Sequence, residues 1–133
     1  MFKKINDLEF GLNKEKQLLP VLKTFFNDDS IYHLEQSNTF DYKGNNKFIE
    51  LKSRNNELDK YPTTMVGYNK ICKASTILDD VYFCFCFTNG LYYYKYNKED
   101  KFEIRKGGRY DRITSGEIQD YYYIPVNLLQ KII

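Results

Sequence analysis

Residues 39–54 contain the feature that most constrains how this chain folds. Two short runs of alternating apolar residues, 39–43 and 47–52, flank Gly44, Asn45 and Asn46. Asparagine tolerates a positive φ, so this pattern predicts a β-hairpin whose two-residue turn is Asn45-Asn46. The predicted ladder contains three cross-strand pairs: Lys43 with Phe48, Tyr42 with Ile49, and Asp41 with Glu50.

The pairing of Asp41 with Glu50 would place two negative charges opposite each other. Like charges about 4.5–5.5 Å apart on one sheet face repel. The arrangement becomes favourable when a divalent cation lies between the carboxylates, because Asp and Glu oxygens are the ligands that magnesium prefers. Side chains alternate along a strand, so Lys52 lies beside Glu50, while Ile49 and Leu51 face the opposite way. The hairpin therefore predicts a metal site with a lysine next to it.

A simpler interpretation is a surface hairpin with an ion pair between Asp41 and Lys52, which would contribute little stability. A Glu-x-Lys triplet is also common in a lysine-rich chain, and a second copy occurs at Glu99-Asp100-Lys101. That copy lies in a polar turn with no strand before it. The predicted strand around Glu50-Leu51-Lys52, rather than the residue types of the triplet alone, therefore favours a functional site.

Length and composition predict one soluble domain over residues 1–133. Apolar residues make up 42% of the chain and charged residues 29%, and the net charge of +2 requires any nucleic-acid surface to arise from local clustering. The three cysteines have no zinc-binding spacing and indicate reduced thiols. The longest apolar run, residues 81–87, is far too short for a membrane span. We expect an intracellular, cytoplasmic protein that has no membrane partner.

The order of predicted elements indicates an α/β (α+β) fold. Residues 6–27 show helical spacing that Pro20 either kinks or divides into two segments. A strand at 31–35, the hairpin and a polar connection at 53–59 follow. A second helix is expected to begin at 62–64, with Met65, Tyr68, Ile71, Cys72 and Ser75 packed. Residues 81–87 predict a central strand buried on both faces. Further strands at 91–96, 102–105 and 121–126, and a terminal helix or tail, complete a mixed central sheet flanked by helices.

Two groups of basic residues are candidates for phosphate contacts. Lys70 and Lys73 lie on one flank of the second predicted helix. A glycine-rich segment carries the other group, which consists of Arg105, Lys106, Arg109 and Arg112. Both groups could equally form solvated surfaces, since loops are often basic and exposed. The lone histidine, His33, is interpreted as a surface or packed residue.

Taken together, these motifs resemble the PD-(D/E)xK nuclease superfamily, which has a restriction-endonuclease-like αβββαβ core. The resemblance covers residues 6–88, with 91–133 as an extension of antiparallel strands. The matching parts are Gly11-x3-Glu15, Phe40-Asp41, Glu50-Leu51-Lys52 and Lys70. Phe40 replaces the family's proline. The chain is also similar in length to the small Holliday-junction resolvases of this superfamily, which act as homodimers.

The resemblance implies a metal-dependent DNA endonuclease. Asp41, Glu50, the main-chain carbonyl of Leu51 and Glu15 would hold Mg²⁺ (or Mn²⁺), and Lys52 would orient or deprotonate the attacking water. The partner would be double-stranded or branched DNA, with a possible homodimer. Two alternatives stay open. The chain could be a nuclease-fold protein that binds nucleic acid or a protein without cutting, or an unrelated small α/β protein whose tyrosine-rich hairpin at 91–96 forms an interface edge.

Overall fold

The structure, a computed structural model, describes residues 7–107 and 119–133, with side chains described from residue 14 onward. Its elements in chain order are α1 (Asp7–Phe25), β1 (Tyr32–His33), β2 (Tyr42–Gly44), β3 (Lys47–Ser53), β4 (Thr63–Gly67), α2 (Tyr68–Ser75), β5 (Asp80–Phe87), β6 (Gly90–Lys95), β7 (Glu103–Gly107), β8 (Gln119–Pro125), a short 3-10 helix (Val126–Leu128) and β9 (Gln130–Lys131).

These strands form two sheets. The larger sheet has six strands in the order β1-β2-β3-β5-β6-β9, in which β3 and β5 run parallel and the other neighbours run antiparallel. The smaller sheet is antiparallel, with the order β4-β8-β7. The predicted α+β class, with its mixed sheet and added antiparallel strands, is therefore confirmed. The architecture is consistent with a restriction-endonuclease-like fold.

Each face of the larger sheet packs against its own hydrophobic core. One core includes Leu22 of α1 together with Tyr42, Ile49 and Leu51. The other core packs α2 and the smaller sheet against β5. Phe83 and Phe85 belong to the second core and Cys84 to the first, and all three are fully buried. Strand β5 is therefore the central, doubly buried strand that the sequence predicts.

The hairpin turn between β2 and β3 is held from outside by Asp28. The turn has the predicted register, since Gly44 pairs with Lys47, and Asn46 takes a φ of 55°. Asp28 Oδ2 accepts hydrogen bonds from the Asn45 N–H at 2.9 Å and from Lys47 Nζ at 2.6 Å. A Cβ atom on Gly44 would lie only 2.7 Å from that same carboxylate oxygen. Glycine is therefore needed here for close approach, not only for turn geometry.

The predicted start of the second helix is wrong. Residues 63–67 form strand β4, and the helix begins at Tyr68 after Gly67. Val66 pairs with Tyr122 of β8, and the β-branched residues in this segment suit a sheet that the local sequence did not reveal. The packed face of α2 consists of Ile71 and Ala74, whereas Cys72 is exposed. Ser75, also expected to be packed, is exposed as well.

Two further alternatives are decided by the backbone. Helix α1 runs continuously with Pro20 inside it, so the division into two helical segments is wrong.

Strand β6 is covered by β9, through the pairs Tyr92–Lys131 and Tyr93–Gln130, so the hairpin at 91–96 does not present a free edge there. In the parts of the chain that the structure describes, no helix combines the length and the apolar character needed to cross a membrane.

We predict that Asp28→Asn destabilises the fold fully above about pH 4 and progressively less as the pH falls below that value. The hydrogen bond from Lys47, and then that from the Ser30 hydroxyl, hold the pKa of Asp28 well below its usual range. A depressed acid pKa stabilises the folded state above the unfolded value of about 3.9, and that contribution is lost as pH falls. Thermal unfolding should show a lower Tm for the variant than for the wild type at pH 7, and a smaller difference at pH 3, where the unfolded state is already mostly protonated.

The matched control is Asp29→Asn, which removes a neighbouring exposed carboxylate. It should leave Tm close to that of the wild type at both pH values. Equal effects of the two substitutions at pH 7 would contradict the anchoring role of Asp28.

Candidate active site

A bulge at the start of β2 sets the position of Asp41. The Asp41 N–H donates to Ile49 O at 3.0 Å, and Ile49 is also the ladder partner of Tyr42. Two consecutive residues, Asp41 and Tyr42, thus face the single residue Ile49 on the neighbouring strand, which is the arrangement of a β-bulge. The ladder ends at Tyr42, so the predicted direct pairing of Asp41 with Glu50 is not formed. Instead, Asp41 Oδ2 accepts the Leu51 N–H at 2.7 Å, which fixes the carboxylate beside β3.

Glu50 is a buried carboxylate at the centre of β3, with only 2% of its surface exposed. Its Oε2 lies 3.2 Å from Lys52 Nζ and 3.6 Å from Lys70 Nζ. Its other oxygen, Oε1, is buried and has no hydrogen-bond partner among the described residues. Burial, and then the charge of Asp41, raise the pKa of Glu50 to about 7, although the two lysines act in the opposite direction.

Lys70 takes a different position from the one expected of a phosphate contact. Its ammonium is directed toward Glu50 and also donates to the main-chain oxygen of Thr39. These contacts tie helix α2 to the segment just before Asp41. Lys70 therefore helps to assemble the site and is only 21% exposed.

Glu15 approaches the site from helix α1. Its carboxyl group forms a side-chain hydrogen bond with Asp41. Burial is the main cause that raises the pKa of Glu15, to about 8, with further contributions from that hydrogen bond and from the charges of Asp41 and Glu50. The Tyr42 hydroxyl donates to the main-chain oxygen of Glu15, which fixes this turn of the helix against the sheet. The raised pKa favours the protonated form of Glu15 at neutral pH, in which its carboxyl group can donate to Asp41.

A cavity of about 260 Å³ opens beside these acids, lined by Glu15, Asp41, His33 and part of the loop that follows β1. His33 Nε2 lies 3.3 Å from Glu15 Oε1, without the alignment of a hydrogen bond. Sequence reasoning gave His33 no role. The available signal was strand register, because β1 pairs His33 with Tyr42 and so brings the imidazole to Glu15.

The other predicted basic residues lie apart from the carboxylates. Lys73 is exposed on α2, and Lys106 is exposed on β7. Arg105 also lies on β7 rather than in a loop, with its guanidinium 4.0 Å from the ring centre of Tyr123. The remaining predicted contacts, Arg109 and Arg112, lie outside the described residues.

The donor set suits a hard divalent cation. Over residues 7–107 and 119–133, no group of three or more His, Cys, Asp and Glu side chains is arranged to hold a metal. The site offers two carboxylates, from Asp41 and Glu50. Magnesium is held in proteins by one or two carboxylates with several waters, so this number of ligands fits. The partnerless Glu50 Oε1, buried beside a second acid, is the atom that such an ion would satisfy.

A mixed sheet with an acidic residue beside β2 and a Glu-x-Lys triplet on β3 is the arrangement that the resemblance to the PD-(D/E)xK nucleases implies. A family model described as "Phage putative PDDEXK endonuclease" matches residues 13–132. The chain belongs to this family, and the resemblance to the PD-(D/E)xK superfamily is confirmed. No curated protein and no solved structure matches the chain. Family membership supports a nuclease function in general and implies a nucleic-acid substrate.

We predict that the metal-free protein loses stability as pH rises from about 5 to about 8. The folded-state pKa values of Glu50 and Glu15, about 7 and about 8, lie above the unfolded value of about 4.3. The native state then binds more protons than the unfolded state, so its stability falls across this interval. In EDTA, Glu50→Gln should flatten the dependence of Tm on pH and raise Tm at pH 8.5.

Glu99→Gln is the control, because Glu99 is an exposed glutamate in the second Glu-x-Lys triplet. It should reproduce the wild-type slope of Tm against pH. A wild-type slope in the Glu50→Gln protein would show that Glu50 titrates normally and would contradict the assignment.

Proposed function

We propose that this chain is a metal-dependent endonuclease that hydrolyses phosphodiester bonds in DNA. Asp41 and Glu50, with the carbonyl of Leu51, would hold Mg²⁺ or Mn²⁺. Glu15, on α1, would complete the coordination shell of that ion, directly or through a water molecule. The observation that carries the proposal is the buried Glu50 carboxylate, which has two lysines on one oxygen and no partner on the other. A purely structural ion pair would gain nothing from the second acid beside it.

The bound ion would polarise the scissile phosphate, lower the pKa of a water molecule and stabilise charge on phosphorus. The chain supplies the geometry for that chemistry. The hydrogen bond from the Leu51 N–H holds the Asp41 carboxylate in place, and Lys70 positions Glu50.

Lys52 is the residue that acts on the attacking water in this proposal. Its ammonium lies 3.2 Å from Glu50 Oε2 and is 37% exposed, so it can contact both the acid and an incoming phosphate. Lys52 would orient the water, accept its proton or neutralise the developing charge.

The exposed cations would contribute affinity rather than chemistry. Lys73, Arg105 and Lys106 are on the surface and are suited to contacts with backbone phosphates. Such contacts produce binding that weakens as salt rises, without sequence information. Selectivity for branched DNA and a homodimeric state are further proposals that the substrate comparison below tests.

The test is cleavage of supercoiled plasmid and of a synthetic four-way junction in Mg²⁺ or Mn²⁺. We expect wild-type cleavage, and a loss on the order of 10² or more in both Glu50→Gln and Lys52→Ala. Preference for the junction, with paired cuts, would indicate a structure-selective dimer.

The matched controls are Glu99→Gln and Lys101→Ala, which change the second triplet in its polar turn and should retain full activity. If neither substrate is cut, and DNA is bound equally with and without metal, the chain is a binding module and the proposal fails.

A further inference from the structure

A second cavity, of about 390 Å³, lies just beyond the candidate active site along β3. We call it the Arg54 pocket and define it by Arg54, Arg105, Tyr61, Tyr123, Thr63 and Thr64, which line it together with apolar residues. Its volume falls within the range of small-molecule sites in proteins. Two arginines and no acidic side chain line it among the described residues. Arg105 Nε lies 3.2 Å from Glu103 Oε1, so Arg54 is the lining charge that favours an anion.

The pocket is placed by the same strand that carries the proposed site. Arg54 follows Lys52 by two residues, and its N–H still donates to Cys86 O at 2.9 Å, so the pairing with β5 continues past the end of β3. Alternate residues share a face at about 3.3 Å per residue, which puts Arg54 about 7 Å from Lys52 along that face. That separation is comparable to the distance between neighbouring phosphates along one nucleic-acid strand.

Arg54 has no ion-pair partner among the described residues. Its Nε donates to Thr64 Oγ1 at 3.4 Å, and its Nη2 donates to the main-chain oxygen of Met65. A guanidinium has five N–H donors, so several remain for a ligand. Burial lowers the pKa of Arg54, which reflects the cost of holding this charge away from water without an acid. A phosphate group would supply the missing counter-charge.

Aromatic rings form the rest of the pocket. Tyr61 lies at the mouth, 54% exposed, with Lys60 Nζ 5.6 Å from its ring centre. Tyr123 lies under the Arg105 guanidinium, 4.0 Å from its ring centre. Tyr123 is half-buried, whereas Tyr61 presents an exposed ring. Aromatic rings next to cations are the elements that bind unstacked bases in proteins that recognise single strands.

The wall that carries Tyr61 is anchored to the turn between β5 and β6. The Thr88 N–H donates to Asn56 O at 3.1 Å, and the Leu58 N–H donates to Asn89 Oδ1 at 3.0 Å. The pocket is therefore preformed, so a ligand would not have to order this loop on binding.

We propose that the Arg54 pocket takes one unpaired nucleotide of the bound DNA strand, adjacent to the phosphate at Lys52, with its phosphate on Arg54 and its base against Tyr61 and Tyr123. A base can enter such a pocket only when it has left its partner and its stack. The substrate class is therefore DNA with an unpaired nucleotide beside the cleaved bond, as in a single strand or at a branch. This inference rests on the proposed nuclease function and deepens it.

The first test measures binding in EDTA by fluorescence anisotropy. The probes are a 16-nucleotide thymidine strand, a strand of equal length made of abasic residues, and a blunt duplex. Wild type should bind the thymidine strand about tenfold more tightly than the abasic strand, as expected for stacking of a base. Tyr61→Ala should bind the two strands equally, with unchanged affinity for the duplex. Arg105→Gln should weaken binding of both single strands, because it removes a charge.

The matched control is Tyr32→Ala, because Tyr32 is a tyrosine of similar exposure, 52%, on β1. It should keep the wild-type preference for bases. Equal binding of the thymidine and abasic strands by wild type, or the same small effect of the two tyrosine substitutions, would overturn the proposal.

Cleavage in Mg²⁺ separates this inference from the function on which it rests. If cutting depends on Glu50 but Tyr61→Ala changes neither cleavage nor single-strand binding, the pocket proposal fails and the nuclease proposal stands. If the preference for bases depends on Tyr61 but no substrate is cut, the nuclease proposal fails and the pocket binds a nucleotide without chemistry.

Discussion

The burial of the Glu50 carboxylate is the constraint on which the rest of the site depends. A carboxylate with 2% exposure is costly unless it is paired or protonated. Lys52 and Lys70 offset part of that cost, yet the pKa still rises to about 7, because burial disfavours the charged form and Asp41 adds a second negative charge nearby. An arrangement that is electrostatically unfavourable by itself, and that four elements converge to build, is typical of a functional site rather than of a stabilising contact.

The surrounding structure keeps these groups together from two sides. Asp28 secures the hairpin turn at one end of β3, where Gly44 leaves just enough space for its carboxylate. At the middle of β3, the bulge at Asp41 turns a second acid toward the strand, and Lys70 links α2 to the segment just before Asp41. Because β3 lies between β2 and the doubly buried β5, Glu50 stands on a strand that is hydrogen-bonded on both sides.

Much of this could be predicted from local sequence patterns. The hairpin register, the doubly buried β5 and the shared position of Glu50 and Lys52 all follow from alternation along strands. Strand β4 could not be predicted, because its pairing partner β8 lies more than fifty residues away in the chain. The bulge at Asp41 depends on one additional residue in a ladder, which no periodicity reveals.

The site residues also differ in how far the sequence alone predicts their positions. Glu15, Asp41, Glu50 and Lys52 lie close together, although Asp41 is not the ladder partner of Glu50 that the sequence predicted. The positions of Lys70 and His33 depend on tertiary contacts. Lys70 had the appearance of a surface cation, but it is directed inward to Glu50. His33 becomes a neighbour of Glu15 only through the short pairing of β1 with β2.

The most direct test of the central claim is calorimetric titration of the metal-free protein with Mn²⁺ at pH 8, compared with Glu50→Gln and Glu99→Gln. The account predicts saturable binding by wild type and by Glu99→Gln, with proton release because the acids are partly protonated without metal. It predicts binding at least tenfold weaker in Glu50→Gln, since one of two carboxylate ligands is lost. Equal Mn²⁺ affinity in all three proteins, or no saturable binding by wild type, would contradict it.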